Sequence, residues 1–142
     1  MTVTAKHPVI RKDVVRIVCL AVPKEGISFE DFDTYWLNTH GPLWASLPIV
    51  KKNLTKYEQF HYVPAADSEL TKVNLPILNA QTPYRGIVTL EAESYEKITA
   101  IFTDPEYLER VVPSSHNFFD SEKSVWIGGG IADFFSKPPS KC

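Results

Sequence analysis

The run Val14-Val15-Arg16-Ile17-Val18-Cys19-Leu20-Ala21-Val22 constrains the fold of this chain more than any other stretch. It is rich in β-branched residues and closed by Pro23, which marks it as a strand. A strand with one wet face alternates apolar and polar residues, whereas both alternating sets here are apolar except at Arg16. The run therefore predicts a central strand covered on both faces, and the rest of the chain has to supply a layer on each side.

The next segment supplies one of them. Ser28 is a natural helix N-cap, with Glu30 and Asp31 in the first turn. Phe29, Phe32, Trp36, Thr39, His40 and Leu43 recur at three- and four-residue steps and share one helical face, predicting a helix from Phe29 to about His40. Gly41-Pro42 is expected to interrupt it, because Pro42 lacks an amide hydrogen and restricts the residue before it. Helix is expected again from Pro42 to Leu47. Tyr57–Val63 reads as the second strand, with Tyr57, Gln59, His61 and Val63 on one face and Glu58, Phe60 and Tyr62 on the other. Residues 64–83 form a long connection containing Pro64, Pro76 and Pro83. Its Leu70, Val73, Leu75, Ile77 and Leu78 predict a packed loop. Tyr84–Glu91 reads as the third strand. Ser94 caps a second helix carrying Ile98, Ile101 and Phe102; Asp104-Pro105 restarts it, Leu108, Val111 and Val112 continue its stripe, and Pro113 is expected to end it. Ser114–Asp120 reads as a short helical turn. Val125–Ile127 and Ile131–Phe135, flanking Gly128-Gly129-Gly130, predict a fourth strand with a bulge or a close backbone approach.

Composition excludes several function classes. A chain of 142 residues, 44% hydrophobic, fits one globular domain, read as residues 12–135 with flexible tails at 1–11 and 136–142. A formal charge of -2 and no basic run beyond Lys51-Lys52 argue against nucleic acid. No apolar segment reaches membrane-spanning length, and Met1–Pro8 lacks the apolar centre of a secretory signal, so a cytoplasmic protein is expected. Cys19 reads as a small buried residue and Cys142 as part of a polar tail, without the spacing of a redox or zinc pair. No histidine has a ligand partner at metal-site spacing, and no phosphate loop or nucleophile elbow is present, so neither a metal nor a cofactor is expected.

The order β-α-β-β-α-β is the α+β, ferredoxin-like plan. Its helices cover one face of the sheet, and pairing two sheets in a homodimer is the simplest cover for the other. At this level the chain resembles the EthD family within the dimeric α/β-barrel group. The resemblance rests on Ser28–Phe32 leading into Tyr35-Trp36, on His40-Gly41-Pro42-Leu43, on Gly86-Ile87, on Phe102–Tyr107 and on Phe118-Phe119-Asp120. It implies a homodimer with a pocket between sheet and helices. It also implies frequent occurrence in fungal aromatic-polyketide pathways, where relatives act as cofactor-free decarboxylases or dehydratases, while other relatives accompany degradation pathways with no clear catalysis of their own.

His40 is then either a core histidine bonded to nearby carbonyls or a general acid/base at the pocket floor, since imidazole exchanges protons near neutral pH. His116 is either a solvated turn residue or a second acid/base at the rim. His61 shares its strand face with Tyr57 and Gln59; that face lines the cavity if it points at the helices and an interface if it points at a partner. His7 lies in the arm and is read as inert. Tyr35, Trp36, Tyr57, Gln59, Phe118 and Phe119 are candidate walls and hydrogen-bonding groups for a flat aromatic substrate. Arg85 is a candidate anchor for a carboxylate or phenolate, or else a surface ion-pair partner. The reading that follows is a cofactor-independent lyase on an aromatic or β-keto polyketide. The alternatives are a cofactorless monooxygenase of an anthrone-like substrate and a non-catalytic dimeric binding protein.

Overall fold

The computed structural model describes residues 8–139, so His7 and Cys142 lie outside it. Its sheet comprises β1 (Val15–Ala21), β2 (Lys56–His61), β3 (Gly86–Ala92) and β4 (Val125–Gly129) in the spatial order β2-β3-β1-β4. All neighbours are antiparallel. The apolar run at the start of the chain is thus a central strand, with helices over one face and Val18 and Leu20 half-buried on the other. The helical layer contains α1 (Phe29–Tyr35), α2 (Gly41–Ser46), α3 (Pro48–Asn53), α5 (Tyr95–Thr99) and α6 (Val112–Ser115). A further helix, α4 (Asp67–Lys72), lies in the long connection. The expected caps form: Ser28 Oγ accepts from the amide of Asp31 at 3.0 Å, and Ser94 Oγ from that of Lys97 at 3.3 Å. No helix of the described residues is long and apolar enough to cross a membrane.

Gly41-Pro42 does not interrupt the first helix. Residues Trp36–His40 form a π-turn between α1 and α2, with Gly41 N–H donating to Trp36 O. Gly41 keeps helical angles of φ -61° and ψ -52°. Proline inside an α-helix lacks an amide hydrogen and drives its ring into the carbonyl one turn back; inserting one residue into the turn relieves the clash without ending the helix. The second helix repeats the device. Tyr107–Val111 is a π-turn, Val112 N–H donates to Tyr107 O, and Pro113 follows inside α6 rather than ending the helix.

Each inserted residue shifts the buried stripe. The first helix buries Phe32, Trp36, His40, Trp44 and Leu47, while Thr39 is exposed and Leu43 only half-buried. In the second, Tyr107 and Val111 face inward and Leu108 is 52% exposed. The ideal helical spacing that grouped Thr39 with Leu43 and Leu108 with Val112 fails at both π-turns.

Two further expectations are corrected. The fourth strand stops at Gly129, and Ile131–Phe135 is irregular, with Phe134 and Phe135 exposed. The ladder from β1 runs out at Arg16, opposite Gly129, and the Ile131 carbonyl instead accepts from Arg11 N–H at 2.8 Å. The 64–83 connection holds α4 but leaves Leu70, Val73 and Leu75 exposed; only Ile77 and Leu78 are half-buried.

Trp36 joins the layers. It is 2% exposed, packs on Phe32 at 5.5 Å and on the His61 ring at 4.4 Å, and lies against the backbone of Gly86 in β3. A Cβ at position 86 would fall on the indole ring and within 3.0 Å of the Phe60 carbonyl. Gly86→Ala is therefore expected to cost about 2–3 kcal/mol in urea unfolding through forced overpacking. A loss well below about 1 kcal/mol would mean that Trp36 is free to shift.

Candidate active site

Two apolar clusters fill the space between helices and sheet. One contains Trp44, Leu47, Leu90, Ile98, Ile101 and Val111; the other contains Ala21, Phe32, Trp36 and Phe118. Where they meet they leave a cavity lined by residues of both, with Cys19, His40, Tyr57, Val88, Tyr107, Ser115, Phe119 and Trp126 completing the wall. The space open to a water-sized group is ≈ 50 Å³.

His40 reaches the cavity from the π-turn, 6% exposed and with its ring 4.7 Å from that of Phe118. Its Nδ1 lies 3.0 Å from Ser114 Oγ on α6. Nε2 has no hydrogen-bond partner among the described residues and is not fully enclosed. Ser114 Oγ is 3.0 Å from Tyr35 Oη, which accepts from Asn117 Nδ2 at 3.0 Å. Tyr57 stacks on Trp44 with ring centroids 5.4 Å apart, and its hydroxyl accepts from Gln59 Nε2 at 2.9 Å. Tyr107 packs edge-on against the same Trp44, and no protein group of the described residues bonds its hydroxyl.

Every titratable group in the wall is held neutral by burial. Desolvation lowers His40 to about 4, and raises the Cys19 thiol, Tyr57 and Tyr107 each to about 12. The Gln59 bond opposes the shift at Tyr57 without cancelling it. Cys19 is consequently a thiol with no thiolate character. The cavity combines aromatic walls with neutral groups that keep their protons.

The sequence-derived candidates divide in two. His40, Trp36, Tyr57, Phe118 and Phe119 are brought together at the cavity. The others lie elsewhere. His116 follows α6 on the exposed surface. The strand face of His61 does point at the helices, but its Nδ1 pairs with Asp33 and its Nε2 lies 2.7 Å from Gln59 Oε1, so neither nitrogen is open. Gln59 also donates to the Trp36 carbonyl at 3.1 Å, tying β2 to the π-turn. Tyr35 meets Ser114 and Asn117 rather than the cavity. The Arg85 guanidinium donates to the carbonyls of Thr82 and Tyr84 and borders a separate open groove with Lys24 and Lys123. Sequence reasoning missed Tyr107, Ser114 and Asn117 as site residues. Pro113 placed where Pro42 stands, just after an apolar stripe, was the available signal for a matching second π-turn.

A ferredoxin-like α+β domain with a neutral, aromatic-walled cavity between sheet and helices is the class these features define. The match to the EthD domain over residues 24–122 places the chain in the EthD family. It is 25% identical over 122 residues to the conidial pigment biosynthesis dehydratase EthD of Metarhizium robertsii, covering 84% of this chain and 85% of that protein. It is also 25% identical over 122 residues to the decarboxylase claH of Passalora fulva, covering 84% and 79%. Among solved structures, a dimeric ferredoxin-like protein of unknown function from Bacteroides fragilis superposes with a TM-score of 0.56 at 11% identity, covering 87% of this chain and all of that one.

The burial of His40 has a measurable signature. The unfolded chain protonates this residue near 6.5 and the folded one near 4, so between these values the unfolded state binds more protons. The stability associated with neutral His40 is complete above pH 6.5 and is lost as pH falls through 4. The shift corresponds to roughly 3 kcal/mol. Wild type is expected to lose that much more unfolding free energy than His40→Gln on acidification across this window; parallel urea-midpoint curves would place the ring in water.

Proposed function

We propose that this protein is a cofactor-independent lyase, a decarboxylase or dehydratase, acting on an aromatic or β-keto polyketide intermediate. The observation that carries the proposal is the neutral donor set, His40, Tyr57 and Tyr107, in an apolar aromatic cavity. The names of the fungal relatives support the same reaction class.

Both reactions pass through one kind of intermediate. When a β-keto acid loses CO2, the electron pair of the breaking C–C bond moves onto the ketone oxygen as an enolate. When a β-hydroxy ketone loses water, removal of the α-proton gives the same enolate before hydroxide leaves. Protonated, uncharged donors in a water-poor site stabilise that developing oxyanion strongly, because they need no reorientation and are not screened. The Tyr57 and Tyr107 hydroxyls, held at about 12, keep their protons at neutral pH and can donate to the oxyanion. The aromatic walls fit a flat substrate. Decarboxylation suits this lining best, because it needs an electron sink and a returning proton but no strong base.

The test is to incubate purified protein with a panel of aryl β-keto acids and β-hydroxy ketones and follow loss of CO2 or water by mass spectrometry. His40→Gln is expected to lower kcat/KM by about 10²-fold. Tyr107→Phe is expected to lower it by about 10-fold, the loss of one hydrogen bond. His116→Ala is expected to leave it unchanged. Turnover that survives His40→Gln intact would remove the cavity from the mechanism. Oxygen uptake with anthrone-like substrates would point to the monooxygenase alternative.

We infer further that the protein works as a homodimer through the sheet face opposite the helices. The registers align Phe60, Ile87, Leu20 and Val125 in one row across all four strands, with Val18 and Ile127 in the next. Phe60 is 61% and Ile127 50% exposed. An apolar row of this kind across a whole sheet calls for a cover. Sedimentation is expected to give a two-chain mass for wild type and a one-chain mass for Phe60→Asp at micromolar concentration; a monomeric wild type would refute the inference.

A further inference from the structure

We propose that Asn117, Tyr35 and Ser114 form a directional hydrogen-bond chain that fixes His40 in the tautomer carrying its proton on Nε2. Ser114, Tyr35 and Asn117 are then positioning residues, and His40 offers the cavity an N–H donor. The consequence for substrate rests on the lyase reading above; the tautomer itself does not.

The chain has one polar end. The Asn117 amide nitrogen only donates, and it donates to Tyr35 Oη at 3.0 Å. Tyr35 has one hydroxyl hydrogen, and its neighbour is Ser114 Oγ at 3.0 Å. Ser114 in turn has one hydrogen and lies 3.0 Å from His40 Nδ1. If Tyr35 donates to Ser114 and Ser114 donates to Nδ1, every hydrogen of the chain meets an acceptor. In the reverse order Nδ1–H donates to Ser114 and Ser114 to Tyr35, and the Tyr35 hydrogen is left without a protein acceptor. A chain that enters the protein interior at His40 favours the arrangement in which each group donates once and accepts once, since each bond polarises the next. Nδ1 is therefore the acceptor and Nε2 bears the hydrogen, because the bond at one ring nitrogen decides the state of the other.

This places the proton on the free nitrogen of a ring that lines the cavity. Nε2 has no hydrogen-bond partner among the described residues. A neutral imidazole that presents N–H can donate to a developing oxyanion and cannot act from that atom as a base. It also gives α6 a definite role: its Ser114, next to the second proline-forced π-turn, orients a histidine that sits in the first.

The test is long-range ¹H–¹⁵N correlation spectroscopy of the His40 side chain near neutral pH, in wild type, Tyr35→Phe and Asn117→Ala. Protonated and unprotonated ring nitrogens resonate in well separated regions, so the tautomer is read directly and without substrate. Wild type is expected to have unprotonated Nδ1 and protonated Nε2. Tyr35→Phe leaves Ser114 free to accept, so the Nδ1–H form is expected to rise from under roughly a tenth to about a half. Asn117 is exposed, so its variant keeps the fold and decides the matter if Tyr35→Phe does not fold; it is expected to shift the balance the same way. A wild-type ring protonated on Nδ1, or folded variants with the wild-type tautomer, would overturn the proposal. Either result stands apart from the lyase assay, because a correct tautomer with no turnover would refute only the reaction.

Discussion

The missing amide hydrogen of proline is the constraint on which this structure turns. Pro42 and Pro113 both stand inside helices that continue past them, and each helix widens by one residue just before its proline. The widening brings His40 and Trp44, rather than Thr39 and Leu43, to the inner face. It also leaves the Trp36 carbonyl able to accept twice, from Gly41 N–H and from Gln59 on the edge strand. One backbone adjustment therefore sets the position of the cavity histidine and fastens the helix to the sheet beside it.

The cavity lies where the two halves of the core fail to close, and its chemistry follows from burial. No charged partner is needed to explain the shifts at His40, Cys19 or Tyr57; the loss of water is their largest cause. A site of this kind binds a full charge poorly and stabilises a dispersed one well, because its dipoles are fixed and its walls are apolar. That asymmetry suits reactions in which a localised carboxylate charge spreads into an enolate. The depressed His40 carries a cost in acid stability, which a residue serving packing alone would not need to carry.

Local signals in the sequence specified most of the fold. Ser28 and Ser94 are side-chain caps where their positions implied them, and Asp104 Oδ2 accepts from the amides of Glu106 and Tyr107 where the second helix restarts. The doubly apolar run identified the central strand, and the element order gave the sheet topology. The site was legible only in part. His40, Trp36 and Tyr57 carry their own pattern, the first two on a helical stripe and the third on an alternating strand face. Ser114 and Asn117 do not, because their role depends on a contact across 74 residues or more. Of the two alternatives for His116 the structure has the solvated turn residue, because the second π-turn turns Ser114 inward and leaves the histidine in water. The exposed Leu70, Val73 and Leu75 broke the rule that apolar residues seek burial within their own chain.

Space and rigidity decide how a ring-shaped ligand is received. A chamber of ≈ 50 Å³ holds a few water molecules and no aromatic ring system. A substrate larger than the chamber would present only its reacting edge to His40. Trp126 forms part of that wall, 42% exposed and resting edge-on against Phe102 at 5.2 Å. It sits on β4, which among the described residues ladders only to β1 at the sheet edge. The outward side chains of the same strand, Val125 and Ile127, belong to the uncovered rows of the sheet. A second chain covering those rows would stiffen β4 from behind and with it the wall that meets the ligand. Assembly through that face would then couple to site geometry through one short strand.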